Sequence, residues 1–354
     1  MPIPTIHFVH FRSTPGGIES LTPKIIRSLN DLEFRVFIVR PPDTNQINVY
    51  DDENVVVTYG SKYITLSFLH LFVYALKNRN DIFHVFNLGP LLLLAIRMAS
   101  IKKVIYSIHG TIYWKKKYQK IIRRFLWKIA ISPHFIFLAN SYYSRKCFLD
   151  YNYFFKGQIQ VVYNPIASER FSQKSRSFND NLQIIYCGRL VQGKNLFTWL
   201  DAACEIHKTF PQSVFKIYGN GPQKDELIEY SKQIGLFSVV HFVGYIKDIQ
   251  KAYQEADLML FLSEYESFGN VVVESILCGT PVLVSRIPSM MEIFHEYPEF
   301  IVAEDHLMIQ DILNKISNIG HLKKLAQTAE ESFRQKYSLD QHVKKLESIY
   351  IKFK

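Results

Sequence analysis

No run of about 18 apolar residues occurs in this sequence, and a helix crossing a bilayer core needs roughly that length. The two most apolar stretches, "ITLSFLHLFVYAL" and "LGPLLLLAI", are too short and read as core helices. Cysteine is scarce. Cys147, Cys187, Cys204 and Cys278 show neither close pairing nor metal-ligand spacing, so they read as reduced thiols in a reducing compartment. The opening "IPTIHFVH" looks like a first strand and lacks the layout of a signal peptide. No internal repeat is visible, and no Asp-x-Asp metal motif is evident, so no metal cofactor is expected.

Acid is the most locally missing element. From Ile82 to Leu149 there is no Asp or Glu, while the same span holds twelve Lys and Arg. The rest of the chain carries thirty basic against thirty-two acidic residues, so the net charge of +10 is a local feature. It points to an anionic partner near one place.

What is present is a rhythm. Short β-branched and aromatic runs alternate with longer helical patterns: "TIHFVH", "FRVFIVR", "NVVVTY", "IFHVFN", "KVIYSIH", "FIFLAN" and "IQVVYN" in the first half, "LQIIYCG", "VFKIYG", "VVHFVG", "DLMLFLS", "PVLVS" and "FIVA" in the second. Near-continuous apolar runs are those of strands covered on both faces. The alternation predicts α/β architecture with parallel sheets. The polar stretch "ASERFSQKSRSFNDN" has no apolar period and sets a linker over 168–181. It separates a domain over 1–167 from one over 182–335, both doubly wound. A last amphipathic helix over 336–354 is expected to pack back toward the first domain.

Doubly wound sheets bind ligands at the carboxyl ends of their strands. After the first strand, Gly16 and Gly17 in "FRSTPGGIESL" let backbone approach a ligand, with a helix expected straight after. Such a turn fits an anion site or a plain strand-to-helix turn. In "CGRLVQGKN", Arg189 and Lys194 share the loop that leads into the next helix. A guanidinium and an ammonium together suit a diphosphate, or are two solvated charges. In "YGNGPQKDEL", Gly219 and Gly221 either line a nucleotide base or only turn the chain.

"SEYESFGNVVVESILCG" reads as loop then helix, with Glu266 in the loop and Glu274 about one turn inside the helix. Two carboxylates reaching one place from different elements suit vicinal hydroxyls of a sugar or ribose, because a buried carboxylate needs donors. Phe268, Gly269 and Asn270 offer backbone N–H groups at the same helix start. Glu274 taken alone is also compatible with an ordinary exposed helix carboxylate.

This stretch resembles the Glu-x7-Glu motif of family-four glycosyltransferases, the retaining GT-B enzymes. "GGIE", "YSIHG", "VVYNPI" and "GRLVQGKN" fall in the order that family shows, and the resemblance covers nearly the whole chain. It implies a GT-B fold, two Rossmann-like domains facing a central cleft, the first binding the acceptor and the second a nucleotide-sugar. It implies that Glu274 holds the ribose hydroxyls and that Glu266 meets the donor sugar, with help from the backbone of Phe268, Gly269 and Asn270. Arg189 and Lys194 would stabilise the departing diphosphate, and Gly17 would let its loop approach it. His109, otherwise a strand-end histidine, would face the reacting sugar. Breaking a glycosyl–phosphate bond leaves negative charge on the leaving group, so fixed cations there act mainly in the transition state. "VVYNPIASERF" has Ala167 where the family often has an acid, and "SRIPSMMEI" lacks a common double glycine; neither departure defines the sugar.

After His109 runs "IYWKKKYQKIIRRFLWKIAI". At 100° per residue, Trp114, Tyr118, Ile121, Ile122, Phe125, Leu126 and Ile129 share one face, and six Lys and Arg lie opposite with Trp127 among them. Basic residues beside anionic lipid contribute about 1 kcal/mol each, and Trp and Tyr suit the headgroup region. Residues 113–130 are therefore expected to touch an anionic membrane surface. No nucleic-acid recognition fold accompanies the cations.

The reading is a retaining transferase that adds a sugar to a lipid-linked glycan in making lipopolysaccharide, O-antigen or capsule. It would work in the cytoplasm at the inner face of the cell membrane. The alternatives are a sugar-nucleotide epimerase or phosphorylase of the same fold, or a non-catalytic GT-B partner subunit.

Overall fold

The computed structural model describes residues 5–13, 17–29, 31–43, 48–51, 55–110, 117–166, 171 and 181–353; over 117–120 only the backbone is described. The chain forms two compact units. One comprises Met1–Pro165 with Leu339–Lys354, the other Ile166–Ser338.

The first unit is built on seven parallel strands: β1 (Ile6–His10), β2 (Phe34–Ile38), β3 (Val56–Tyr59), β4 (Ile82–Phe86), β5 (Val104–Ile108), β6 (Ile136–Ala139) and β7 (Ile159–Val161). Their order is β3-β2-β1-β4-β5-β6-β7. β1, β4 and β5 are buried along their whole length, which is why their sequences run apolar without alternation. Helices α1 (Thr22–Ser28), α2 (Ile64–Lys77), α3 (Pro90–Met98), α4 (Lys117–Ala130) and α5 (Tyr142–Tyr151) connect them.

α3 packs between α2 and α4, and the three share one core with a single sheet face. Leu71 and Ala75 of α2, Leu92 and Ile96 of α3, and Trp127 and Ala130 of α4 fill it. The opposite core takes Ile25 of α1, and Val343, Leu346 and Tyr350 of the last helix, which returns from the second unit.

The second unit carries β8 (Gln183–Cys187), β9 (Val214–Tyr218), β10 (Val240–Gly244), β11 (Leu258–Phe261) and β12 (Val282–Val284). All pairings are parallel, in the order β10-β9-β8-β11-β12. Helices α6 (Leu196–Thr209), α7 (Lys224–Gln233), α8 (Ile249–Glu255), α9 (Asn270–Leu277), α10 (Pro288–Ile293), α11 (Met308–Ser317) and α12 (Ile319–Lys336) cover it, and α13 (Leu339–Tyr350) belongs to the first unit. "FIVA", expected as a strand, makes one isolated bridge from Ile301 to Val284.

Three local expectations are corrected. The helix after Gly17 does not start at once: α1 begins at Thr22, where a proline early in the first turn suits the helix start. The stretch read as a core helix, α2, buries only Ser67, Leu71 and Ala75, and turns Leu66, Leu69, Val73 and Leu76 outward. In α4 the apolar stripe is not the core face. Trp127, placed among the cations, is the buried anchor, edge-on to Tyr106 and Phe148, while Ile121, Ile122 and Phe125 are exposed. Residues 111–116 and most of the 168–181 stretch lie outside the described residues. Phe171, within that stretch, is buried beside Tyr253 in the second unit.

Candidate active site

In each sheet the strand order reverses once, between β1 and β4 and between β8 and β11. Crossover connections diverge at such a point and leave a crevice at the strands' carboxyl ends. In the second unit, Arg189 and Lys194 follow β8 and Glu266 follows β11, so three of the sequence-predicted residues stand at that reversal.

The β8 and β11 loops are tied together. Lys194 Nζ donates to Glu266 Oε1, and both side chains are about one-fifth exposed, at 19% and 18%. The ammonium also lies 5.4 Å from the centroid of the Phe261 ring, a cation–π contact at the end of β11. Glu264 N donates to the Gly193 carbonyl at 2.9 Å. The Tyr265 ring lies over Gly193, where any Cβ would meet it at 2.4 Å. Asn195, left-handed at φ 54, closes the loop and starts α6. Trp199 Nε1 then donates to the Leu260 carbonyl at 2.9 Å and fixes α6 to β11.

Glu274 sits on α9, whose N-cap Gly269 has φ +97 and needs a glycine. Tyr253, fully buried on α8, donates its hydroxyl to Glu274 Oε2 at 2.9 Å. Burial and the Glu274 charge push the Tyr253 hydroxyl well above its ordinary pKa, so it stays a donor. The same two causes, burial first, push the Cys278 thiol up to about 12. Burial first, and then the Glu266 charge, pushes the Tyr186 hydroxyl well above its ordinary pKa; burial and then the Glu274 charge do the same to the Cys187 thiol.

Phe268 is a core residue, 1% exposed and edge-on to Tyr337. Its ring holds the turn that presents Gly269 and Asn270 at the start of α9. Arg189 stands apart from the pair. It is exposed, and its side chain makes no hydrogen bond or ion pair among the described residues. Gly219 and Gly221 are packing glycines: a Cβ would sit 1.8 Å from the Gly188 carbonyl oxygen and 2.1 Å from that of Leu190. They let the β9 loop cross the β8 loop, where Leu190 N donates to the Asn220 carbonyl at 3.0 Å.

In the first unit, His109 directly follows β5. Its Nδ1 is 3.1 Å from Asn164 Oδ1, and its N–H donates to Asn87 Oδ1 at 3.3 Å. Burial, helped by His342, pushes His109 down to about 3, so the ring is neutral near pH 7. With the Nδ1 proton given to Asn164, Nε2 is an acceptor. A small cavity beside it is lined by His84, Ser107, Asn140 and His342. Gly17 lies in an exposed turn before α1; Gly16 is outside the described residues.

Sequence reasoning missed Tyr253, Tyr265, Asn164 and His342. Two of them left a signal: Asn164 lies in "VVYNPI", and Tyr253 is an aromatic residue inside the polar "IQKAYQEAD". Among the described residues, no group of three His, Cys, Asp or Glu could hold a metal ion.

Two doubly wound parallel sheets, each with one strand-order reversal, define a two-domain Rossmann-like α/β class of protein. The chain belongs to the family-four glycosyltransferases of GT-B fold: residues 167–336 match the family model "Glycosyl transferases group 1" and residues 15–170 match "Glycosyltransferase Family 4". Relatives include the Vi polysaccharide biosynthesis protein VipC/TviE of Salmonella typhi, 22% identical over 71% of this chain and 45% of that protein. An uncharacterised glycosyltransferase of Methanocaldococcus jannaschii is 28% identical over 54% of each. The chain thus spans about half the length of these two relatives. The O-antigen biosynthesis glycosyltransferase WclY of Escherichia coli is 24% identical over 92% of both. Among solved structures, Anabaena HepE in complex with UDP has a TM-score of 0.79 at 20% identity, covering 97% of this chain and 98% of that one. That likeness carries the fold.

Proposed function

We propose that this protein is a retaining glycosyltransferase that moves a sugar from a nucleotide-sugar to a lipid-linked glycan in surface-polysaccharide biosynthesis. One observation carries the reading: the Lys194–Glu266 pair ties the β8 and β11 loops together at the strand-order reversal, and Tyr253 orients Glu274 on α9, the helix that follows β11. Glu274 takes the two ribose hydroxyls, with one oxygen already oriented by Tyr253. Donor entry opens the Lys194–Glu266 pair. The ammonium turns to the diphosphate and the carboxylate accepts hydrogen bonds from the sugar.

Bond rupture then leaves charge on the diphosphate, which Lys194 and Arg189 offset without a metal. Glu266 is a binding group and not a nucleophile; the acceptor hydroxyl attacks the face that the diphosphate leaves, its oxygen bonding to the anomeric carbon as the bond to the diphosphate oxygen breaks, and its proton passing to that departing oxygen. Neutral His109 of the first unit accepts a hydrogen bond from the reacting sugar.

The O-antigen and Vi polysaccharide names of relatives support the pathway class. A Campylobacter jejuni relative, 27% identical over 49% of this chain, is named for transfer to a diphospho-undecaprenol-linked sugar, which supports a lipid-linked acceptor. No helix among the described residues is long and apolar enough to cross a membrane. Attachment to the inner face of the cell membrane is peripheral, through residues 113–130, of which 113–116 lie outside the described residues.

The test is titration calorimetry and thermal stabilisation against a panel of UDP-, GDP-, ADP- and CMP-sugars. One donor is expected to stabilise the protein, and Glu274→Ala to weaken its binding and reduce that effect. No binding by any nucleotide-sugar overturns the reading.

A further inference from the structure

The outward face of α2 is apolar. Leu66, Leu69, Val73 and Leu76 recur at helical spacing and are 44%, 53%, 46% and 44% exposed. A solvated helix would carry polar residues there. The inward positions Ser67, Leu71 and Ala75 already satisfy the sheet, and Ser67 Oγ donates to the Val39 carbonyl at 2.9 Å. On α4, Ile121, Ile122, Phe125 and Ile129 are 63%, 58%, 63% and 40% exposed. α3 packs between the two helices and adds Met98, 56% exposed. Three neighbouring helices on one sheet face thus present one apolar surface, broader than the basic segment alone.

Its charge is as one-sided as its hydropathy. From Asn54 to Leu149 the chain has fifteen Lys and Arg and a single acid, Asp81. That acid is engaged by buried His7, whose Nε2 is 3.1 Å away. Lys62, Lys77, Arg97, Lys102 and Lys128 are exposed on or beside the three helices. A second copy of this chain seated here would set cations against cations. A nucleic acid would complement the cations and leave the leucines and isoleucines facing phosphate. An anionic bilayer answers both properties, offering headgroup charge to the cations and acyl chains to the apolar stripes.

We infer that the α2–α3–α4 layer is an interfacial membrane-docking face, with the α2 stripe inserting alongside that of α4. This extends the reading of the protein as a membrane-surface enzyme, which placed the contact on residues 113–130 alone. Attachment through cations alone is reversed by salt. An inserted apolar stripe leaves binding that salt does not remove.

The experiment is sedimentation with phosphatidylcholine vesicles carrying or lacking phosphatidylglycerol, at low and at high salt. Wild type is expected to bind the anionic vesicles, with a salt-resistant remainder. Leu69→Gln with Val73→Gln should weaken binding about tenfold or more. Phe237→Gln, equally exposed on the second unit at 54%, should not. Leu69→Trp supplies a second readout that does not depend on loss: its added emission should shift to the blue on anionic vesicles and be quenched by brominated acyl chains.

Unchanged binding in the double variant, or an unshifted Leu69→Trp, overturns the inference. So does a vesicle-free dimer that Leu69→Gln dissociates, which would make the occupant a second copy. Nucleotide-sugar binding without vesicles should be untouched by these variants. Its absence from wild type would defeat the proposed function and leave the vesicle result standing.

Discussion

Tyr253 and Glu274, 21 residues apart, meet through a 2.9 Å hydrogen bond in which the fully buried hydroxyl orients the carboxylate. Tyr253→Phe keeps the ring and removes the donor. Donor dissociation constants should rise about five- to thirty-fold, the effect of losing roughly 1–2 kcal/mol of orientation, with kcat nearly unchanged. On a Glu274→Ala background the same change should do nothing more. Calorimetry on the four proteins of the cycle decides it, and additive effects would show that the tyrosine acts elsewhere.

Lys194 has two roles in the proposal, partner of Glu266 before the donor arrives and counter-charge to the diphosphate after. Lys194→Ala should therefore lower kcat by about a hundredfold or more. The unliganded protein should lose only about 1 kcal/mol, since the pair is partly open to water. Single-turnover kinetics and urea denaturation separate the two effects. Full turnover with lost stability would make the pair structural.

Gly219 bears the crossing of the β8 and β9 loops. It has φ +136, and a methyl group there would overlap the Gly188 carbonyl oxygen. Gly219→Ala should destabilise the protein by about 3 kcal/mol or more. Gly235→Ala, at φ +76 with open space around it, should cost about 1 kcal/mol. Equal losses in urea denaturation would mean that the crossing can relax.

His10, His84 and His342 are buried in the first unit, and burial lowers all three. His10 is pushed down to about 3, His342 to about 4, and His84 well below its ordinary 6.5. The unfolded chain then takes up protons before the folded one does. Stability should be level above about pH 6.5. It should fall as pH drops from there toward the folded values, by up to about 1.4 kcal/mol per pH unit for each histidine. Among the described residues, His10 Nε2 is buried with no hydrogen-bond partner. His10→Phe should therefore raise stability by about 1 kcal/mol at pH 7 and flatten the acid limb. Denaturation at pH 7.5, 6 and 5 measures both, and an unchanged slope contradicts the account.

The sheets and the chemical content of their loops were legible in the chain itself. Strands covered on both faces must be apolar throughout, and sharp exits from them need glycine, so β8 to β12 and the Arg189, Lys194 and Glu266 loops could be placed from spacing alone. Where such runs sit next to turn residues, local physics has few solutions.

Contacts between distant segments were not legible. Nothing local ties Lys194 to Glu266, 72 residues on, or sets Tyr253 beneath Glu274. The inward face of α4 was equally hidden. Both its stripe and Trp127 are apolar, and a helical wheel ranks faces by hydropathy without knowing the shape they must fill. The gap between Tyr106 and Phe148 accepts one large ring, so Trp127 docks and the isoleucines are left outside. Periodicity and turn chemistry were thus decided by the order of residues, because they act over a few neighbours; partner choice was decided by the packed tertiary structure, because only there do side chains compete for the same volume.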